Sequence, residues 1–153
     1  MIQRIQSLFL LAALIFSGLM IILPFSTLVN SIDEIFKMYF YGIRNITTGR
    51  VADKAIPLAG VTLATAFLSF ITILIYRRRV LQMRLCVYNI LLTFAQIALL
   101  IHYFIGYKTH LVAGASSVSF TMILPLVNIF LLFQAFRAIR RDDLLIKSYD
   151  RLR

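Results

Sequence analysis

Tyr76-Arg77-Arg78-Arg79-Val80-Leu81-Gln82-Met83-Arg84 sets four guanidiniums between two apolar runs, about 56–76 and 85–107, that hold no Asp, Glu, Lys or Arg. About twenty apolar residues in helical form cross the hydrocarbon of a bilayer. A basic cluster between two such runs stays on the cytoplasmic side and fixes the orientation of what flanks it. Two further apolar runs, about 5–25 and 118–136, complete the pattern. The sequence therefore predicts an all-α membrane protein: an antiparallel bundle of four transmembrane helices over 1–136, an extracytoplasmic loop over 26–55, and a basic amphipathic cytoplasmic tail over 137–153.

Composition points the same way. Of the 153 residues 61% are hydrophobic, and the mean hydropathy is +0.89. Soluble domains run at about 45–50% apolar, and a chain this short has little interior in which to hide an excess. The net charge of +10 is not read as a nucleic-acid footprint. Its cations stand at the ends of the apolar runs, where orientation and anionic lipid headgroups account for them. Cys86 is the single cysteine, which excludes an intrachain disulfide or a paired-thiol relay. It reads as a small buried apolar residue.

The first run has a charged start at Arg4 and an apolar middle, as a signal peptide does, but no A-x-A-like site follows Leu23 and it is read as a signal anchor. Ala13 and Ser17 form a small-xxx-small pair that lets another helix come close, and so do Gly60 and Ala64 in the second run. On the second run Thr62, Thr65, Ser69, Thr72 and Tyr76 recur every three or four residues and line one face. On the third, Asn89, Thr93 and Gln96 do the same. Amides in hydrocarbon need partners, so these predict polar contacts between helices in preference to a solute path. In the fourth run Pro125 is read as a mid-span kink that frees the Thr121 carbonyl, with Asn128 three residues on. His102 reads as interfacial, and nothing beside His110 completes a metal site.

The loop over 26–55 carries near-balanced charge and the patch Phe36, Met38, Tyr39, Phe40, Tyr41, too short to span. It either packs on the outer ends of the helices or lies among headgroups. Gly42 and Gly49 suggest turns around a small hairpin, Asn45-Ile46-Thr47 fits a glycosylation sequon, and Gly114-Ala115-Ser116-Ser117 offers serines to cap a helix start. In the tail, Leu145, Tyr149 and Leu152 share a helical face, and Asp143 with Lys147 forms an i,i+4 pair. With Arg140, Arg141, Asp142, Asp150, Arg151 and Arg153 this segment is a solvated helical extension, an inner-leaflet helix or a docking element.

Counting cations sets the orientation. Arg4, Arg77, Arg78, Arg79, Arg84, Arg137, Arg140, Arg141, Lys147, Arg151 and Arg153 fall on one side, against Lys37, Arg44, Arg50, Lys54 and Lys108 on the other. Both termini are expected in the cytoplasm.

The opening Met1-Ile2-Gln3-Arg4-Ile5-Gln6, the central basic loop leading into Gln82-x-Arg84, and the close Arg141-Asp142-Asp143-Leu144-Leu145-Ile146-Lys147-Ser148-Tyr149-Asp150-Arg151-Leu152-Arg153 resemble a Bacteroidota family of small four-span inner-membrane proteins of unknown function. The resemblance covers essentially the whole chain. It implies the same architecture and marks the tail as a characteristic part, and it supplies no activity. Asp143 and Lys147 stand where that family more often has Glu and Arg.

No nucleophile–base pair and no carboxylate cluster stands out, and the spans lack the interior ionisable residue that ion-driven transporters use. The expected role is a non-catalytic accessory or assembly subunit of a larger inner-membrane complex, without cofactor or metal. Its partners are a membrane protein and a bilayer with anionic headgroups. The alternative is a small oligomeric transporter or channel for a neutral solute or lipid.

Overall fold

The computed structural model describes residues 3–29, 34–76, 78–111 and 116–151. Four helices carry most of them: α1 (Gln3–Ile22), α2 (Ile56–Leu74), α3 (Arg79–Leu111) and α4 (Leu124–Arg151). Consecutive helices run antiparallel. α1 packs on α2 and α4, and α3 also packs on α2 and α4, which closes a ring.

The expectation of an all-α chain is corrected. Five strands form one antiparallel sheet at the end of the helices where α1 meets α2 and α3 meets α4. They are β1 (Ser26–Val29), β2 (Ile35–Tyr39), β3 (Gly42–Asn45), β4 (Val51–Lys54) and β5 (Ser116–Val118), in the order β4-β3-β2-β1-β5. Alternation is the cause. Leu28, Phe36, Met38 and Ile43 are buried, while Thr27, Lys37 and Arg44 are more open, and a period of two makes a strand. The buried face packs on Met20, Leu58, Leu100 and Leu124 from the helix ends. The aromatic patch thus covers the helix ends, with Phe25 and Phe40 meeting edge to face at 5.3 Å between ring centres.

Two turns explain the strand joints. Gly42 has φ +150°, and a Cβ there would collide with the Asp53 carbonyl, so β3 and β4 can approach only over a glycine. Asn45 accepts from the backbone N–H of Thr47 at 2.8 Å and of Thr48 at 3.2 Å, and its Nδ2 donates to Glu34 Oε2 at 3.1 Å. The sequon asparagine is a turn former whose amide is already engaged.

Several helix limits shift. α3 begins at Arg79, so most of the expected arginine loop is helix, and the connection from α2 is only residues 75–78. Pro125 is not mid-span: it sits in the first turn of α4, where its missing N–H costs nothing. The Thr121 carbonyl is not freed either. It accepts from the Leu124 N–H through a short 3₁₀ helix, Phe120–Ile123. Ser116 and Ser117 lie in β5, not at a helix cap. α4 runs unbroken through Arg137 to Arg151. Among its tail side chains Arg140 and Arg141 are exposed and Asp142 is buried. The expected face of Leu145, Tyr149 and Leu152, the partner Lys147, and Asp150, Arg151 and Arg153 lie outside the described side chains, as do Arg77 and His110.

Candidate functional site

Each helix buries a narrow seam. Along α3 it is Gln82, Cys86, Asn89, Thr93, Gln96 and Leu100; along α2 it is Leu58, Thr62, Thr65, Ser69 and Thr72. The steps alternate between four and three, the repeat that keeps one stripe facing a neighbour in antiparallel packing at a shallow angle. α1 contributes Leu10, Ala13, Ser17 and Met20, and α4 contributes Asn128, Leu132, Ala135 and Ile139. The seams of α2 and α3 are mostly polar, while those of α1 and α4 are mostly apolar, with Ser17 and Asn128 as their polar members.

The bonds follow antiparallel registry. Gln96 Nε2 donates to Thr62 Oγ1 at 3.1 Å and reaches Met20 Sδ at 3.4 Å. Two turns along, Asn89 Nδ2 donates to Ser69 Oγ at 2.7 Å. One further register along, Gln82 Nε2 donates to the Thr72 carbonyl at 3.2 Å. On the other side of the core Asn128 Nδ2 donates to Ser17 Oγ at 3.2 Å. Thr62, Thr65, Thr72 and Thr93 also donate to carbonyls of their own helices, which satisfies a hydroxyl without a partner helix.

The arrangement is incomplete in one respect. The side-chain oxygens of Asn89, Gln96 and Asn128 are buried and accept from nothing. Bonds of this sort between helices in a bilayer average about 0.6 kcal/mol. An unfilled buried acceptor costs about 1–3 kcal/mol. Hydrogen bonding alone therefore does not explain why three amides lie here.

Other expected residues sort differently. Tyr76 lies beyond the end of α2 and is exposed, so it leaves the stripe. Gly60 and Ala64 face outward, unlike Ala13 and Ser17, which are buried against α4. Arg78 and Arg84 are exposed, while Arg79 is half-buried and its Nη1 donates to the Asp142 carbonyl at 3.0 Å. Gln82, 3% exposed, joins the seam beyond the expected interface residues; its position seven before Asn89 is the sequence signal for it. At the sheet end His102 stacks edge-on with Tyr103, and Tyr107 donates to Asp53 Oδ2 at 2.8 Å. Among the described residues no group of three or more His, Cys, Asp or Glu could hold a metal ion.

The outward faces invert the pattern of a soluble protein. Leu63, Phe67, Leu91, Phe94, Ile105, Phe130 and Phe133 are all exposed, around an interior in which hydroxyls and amides lie among apolar side chains. Among the described residues three helices, Ile56–Leu74, Arg79–Thr109 and Phe120–Leu144, are long and apolar enough to cross a membrane, and Ser7–Ile22 within α1 is a shorter apolar stretch. Fold and seam together define a mostly helical protein of the multi-pass membrane class. Residues 2–152 match the family described as Domain of unknown function (DUF4293), and the chain belongs to it. No curated protein matches the chain.

Proposed function

We propose that this chain is a non-catalytic subunit of the bacterial inner membrane, a four-helix, four-span bundle with both termini in the cytoplasm, which packs as an accessory or assembly component against a larger membrane protein. The observation that carries this reading is the polarity of the helices: large apolar side chains face outward, while buried hydroxyls and amides sit in the seam. Exposed apolar surface on this scale is a liability in water and is at home in lipid or against another membrane protein. The seam supports the accessory role. Thr65, Ser69, Asn89, Gln96 and Asn128 are fully buried and packed directly between helices, as in a scaffold. The excess of cations at the arginine end supports the orientation. Mild-detergent extraction of native membranes, followed by crosslinking and mass spectrometry, tests it. A stoichiometric membrane-protein partner is expected, and a chain that runs alone as a monomer after crosslinking would sink the accessory reading.

A second reading has one observation in its favour. Three donorless amide oxygens along the core are suited to a neutral solute with N–H or O–H groups, as a small oligomeric transporter or channel would carry. Flux of neutral polyols into liposomes holding the chain, abolished by Gln96→Leu, would favour this reading over the first.

A further inference from the structure

On the outside of the helices, at the arginine end, α3 and α4 leave a groove of about 350 Å³ lined by Val80, Met83, Arg84, Val87, Tyr88 and Phe136. That volume lies within the range of about 300–1,000 Å³ seen for small-molecule sites. Five of its six lining residues are apolar or aromatic, and the sixth is Arg84, an exposed side chain at the border of an almost wholly apolar floor. No lining residue carries a carboxylate to neutralise it.

The groove has a definite depth. The uncharged stretch of α3 starts at Leu85, next to Arg84, and that of α4 ends at Phe136, next to Arg137. Arg140 stands one turn beyond Phe136 on the same face and is exposed. The apolar floor and the cations therefore meet where a lipid's chains give way to its phosphate. A free phosphate would use Arg84 and leave the floor unused. An alkyl chain would use the floor and leave the guanidinium without a counter-ion. A single ligand that matches both is an amphiphile with an anionic head, and basic pockets between helices on the cytoplasmic side suit such heads.

We propose that this groove binds one molecule of an anionic glycerophospholipid, its phosphate facing Arg84 with Arg140 close by, and the first carbons of a chain lying against Met83, Val87 and Phe136. The site rests on the membrane reading given above and adds to it a discrete place and a headgroup charge.

The test uses the full chain, delipidated in a mild detergent and titrated with dioleoyl phosphatidylglycerol or dioleoyl phosphatidylcholine, with bound lipids counted by native mass spectrometry. One phosphatidylglycerol per chain is expected at concentrations where phosphatidylcholine does not bind. Arg84→Gln weakens that adduct about fivefold, the effect of removing one cation near a headgroup. Val87→Trp fills the groove without changing charge and removes the adduct. Lys108→Gln, at the sheet end, leaves it intact. Equal binding of the two lipids, or an adduct unchanged in Val87→Trp, overturns the proposal. Alkaline carbonate washing of membranes separates this from failure of its premise. A chain that stays with the membranes yet shows no preferred lipid refutes the groove alone, while a chain that washes off refutes the membrane reading and the groove with it.

Discussion

The amide nitrogen of Asn89 on α3 donates to the hydroxyl oxygen of Ser69 on α2 at 2.7 Å, and both residues are fully buried. The other end of the same amide, Oδ1, has no donor. One side chain thus ties two helices together and leaves an acceptor unfilled.

That pairing makes the two single replacements unequal. Ser69→Ala strips the amide of its remaining partner and is expected to cost about 1–3 kcal/mol. Asn89→Leu removes the bond and the unfilled oxygen together, so its cost falls below that of Ser69→Ala. The double variant should be more stable than Ser69→Ala alone. Denaturation in mixed detergent micelles, followed by circular dichroism, measures all three. A double variant at or below the stability of Ser69→Ala would show that the bond is not the coupling between these positions.

Glycines 42 and 49 separate crowding from backbone strain. Both have positive φ, but an added Cβ meets the Asp53 carbonyl at Gly42 and nothing within 4 Å at Gly49. Gly49→Ala is expected to cost about 1–2 kcal/mol, the penalty of a left-handed backbone. Gly42→Ala bears that strain plus a collision in the sheet and should cost more. Its amides over residues 39–54 should exchange hydrogen faster than those of Gly49→Ala. Equal exchange in the two variants would count against the close approach of β3 and β4.

At the arginine end, Arg79 joins the start of α3 to α4 through the Asp142 carbonyl. Bonds to charged donors contribute about 1.5–3 kcal/mol when buried, and Arg79 is only half-buried, so Arg79→Ala should cost about 1–2 kcal/mol. The change should also raise the rate at which trypsin cuts at Arg140 and Arg141. Cleavage as slow as in the unaltered chain would mean that the contact does not hold α4 in place.

Orientation is open to thiol labelling, because Cys86 is fully buried and should stay silent toward maleimides in the folded chain. In a Cys86→Ala background, Ile46→Cys places a thiol in the turn between β3 and β4, and Arg78→Cys places one between α2 and α3. A membrane-impermeant maleimide should label the first in spheroplasts and the second only after lysis. The opposite pattern would reverse the orientation.

The helical seams were largely legible along the chain. Thr62, Thr65, Ser69 and Thr72, like Asn89, Thr93 and Gln96, repeat at helical spacing, and the structure gives each series a buried face. Gln82 is masked in the sequence because neighbouring arginines make its stretch read as loop, although it continues the heptad. A proline within an apolar run suggests a kink, but at Pro125 the run's first residues are strand and 3₁₀ helix, and the α-helix begins only at Leu124.

The sequence by itself determined the long apolar helices, the placement of charge at their ends and the polar face each helix buries. Those are properties of one segment read at one period, and neighbours in the chain set them. Only the tertiary structure decided that β1, β2, β3 and β4 form a sheet, that β5 joins it from the other connection beside β1, and that Arg84 shares a groove with Phe136. Pairing of Ser26 with Val118 joins residues 92 apart, and no local pattern encodes such a contact. It exists because the antiparallel helices bring both connections to the same end, where unpaired backbone N–H and carbonyl groups bond to each other.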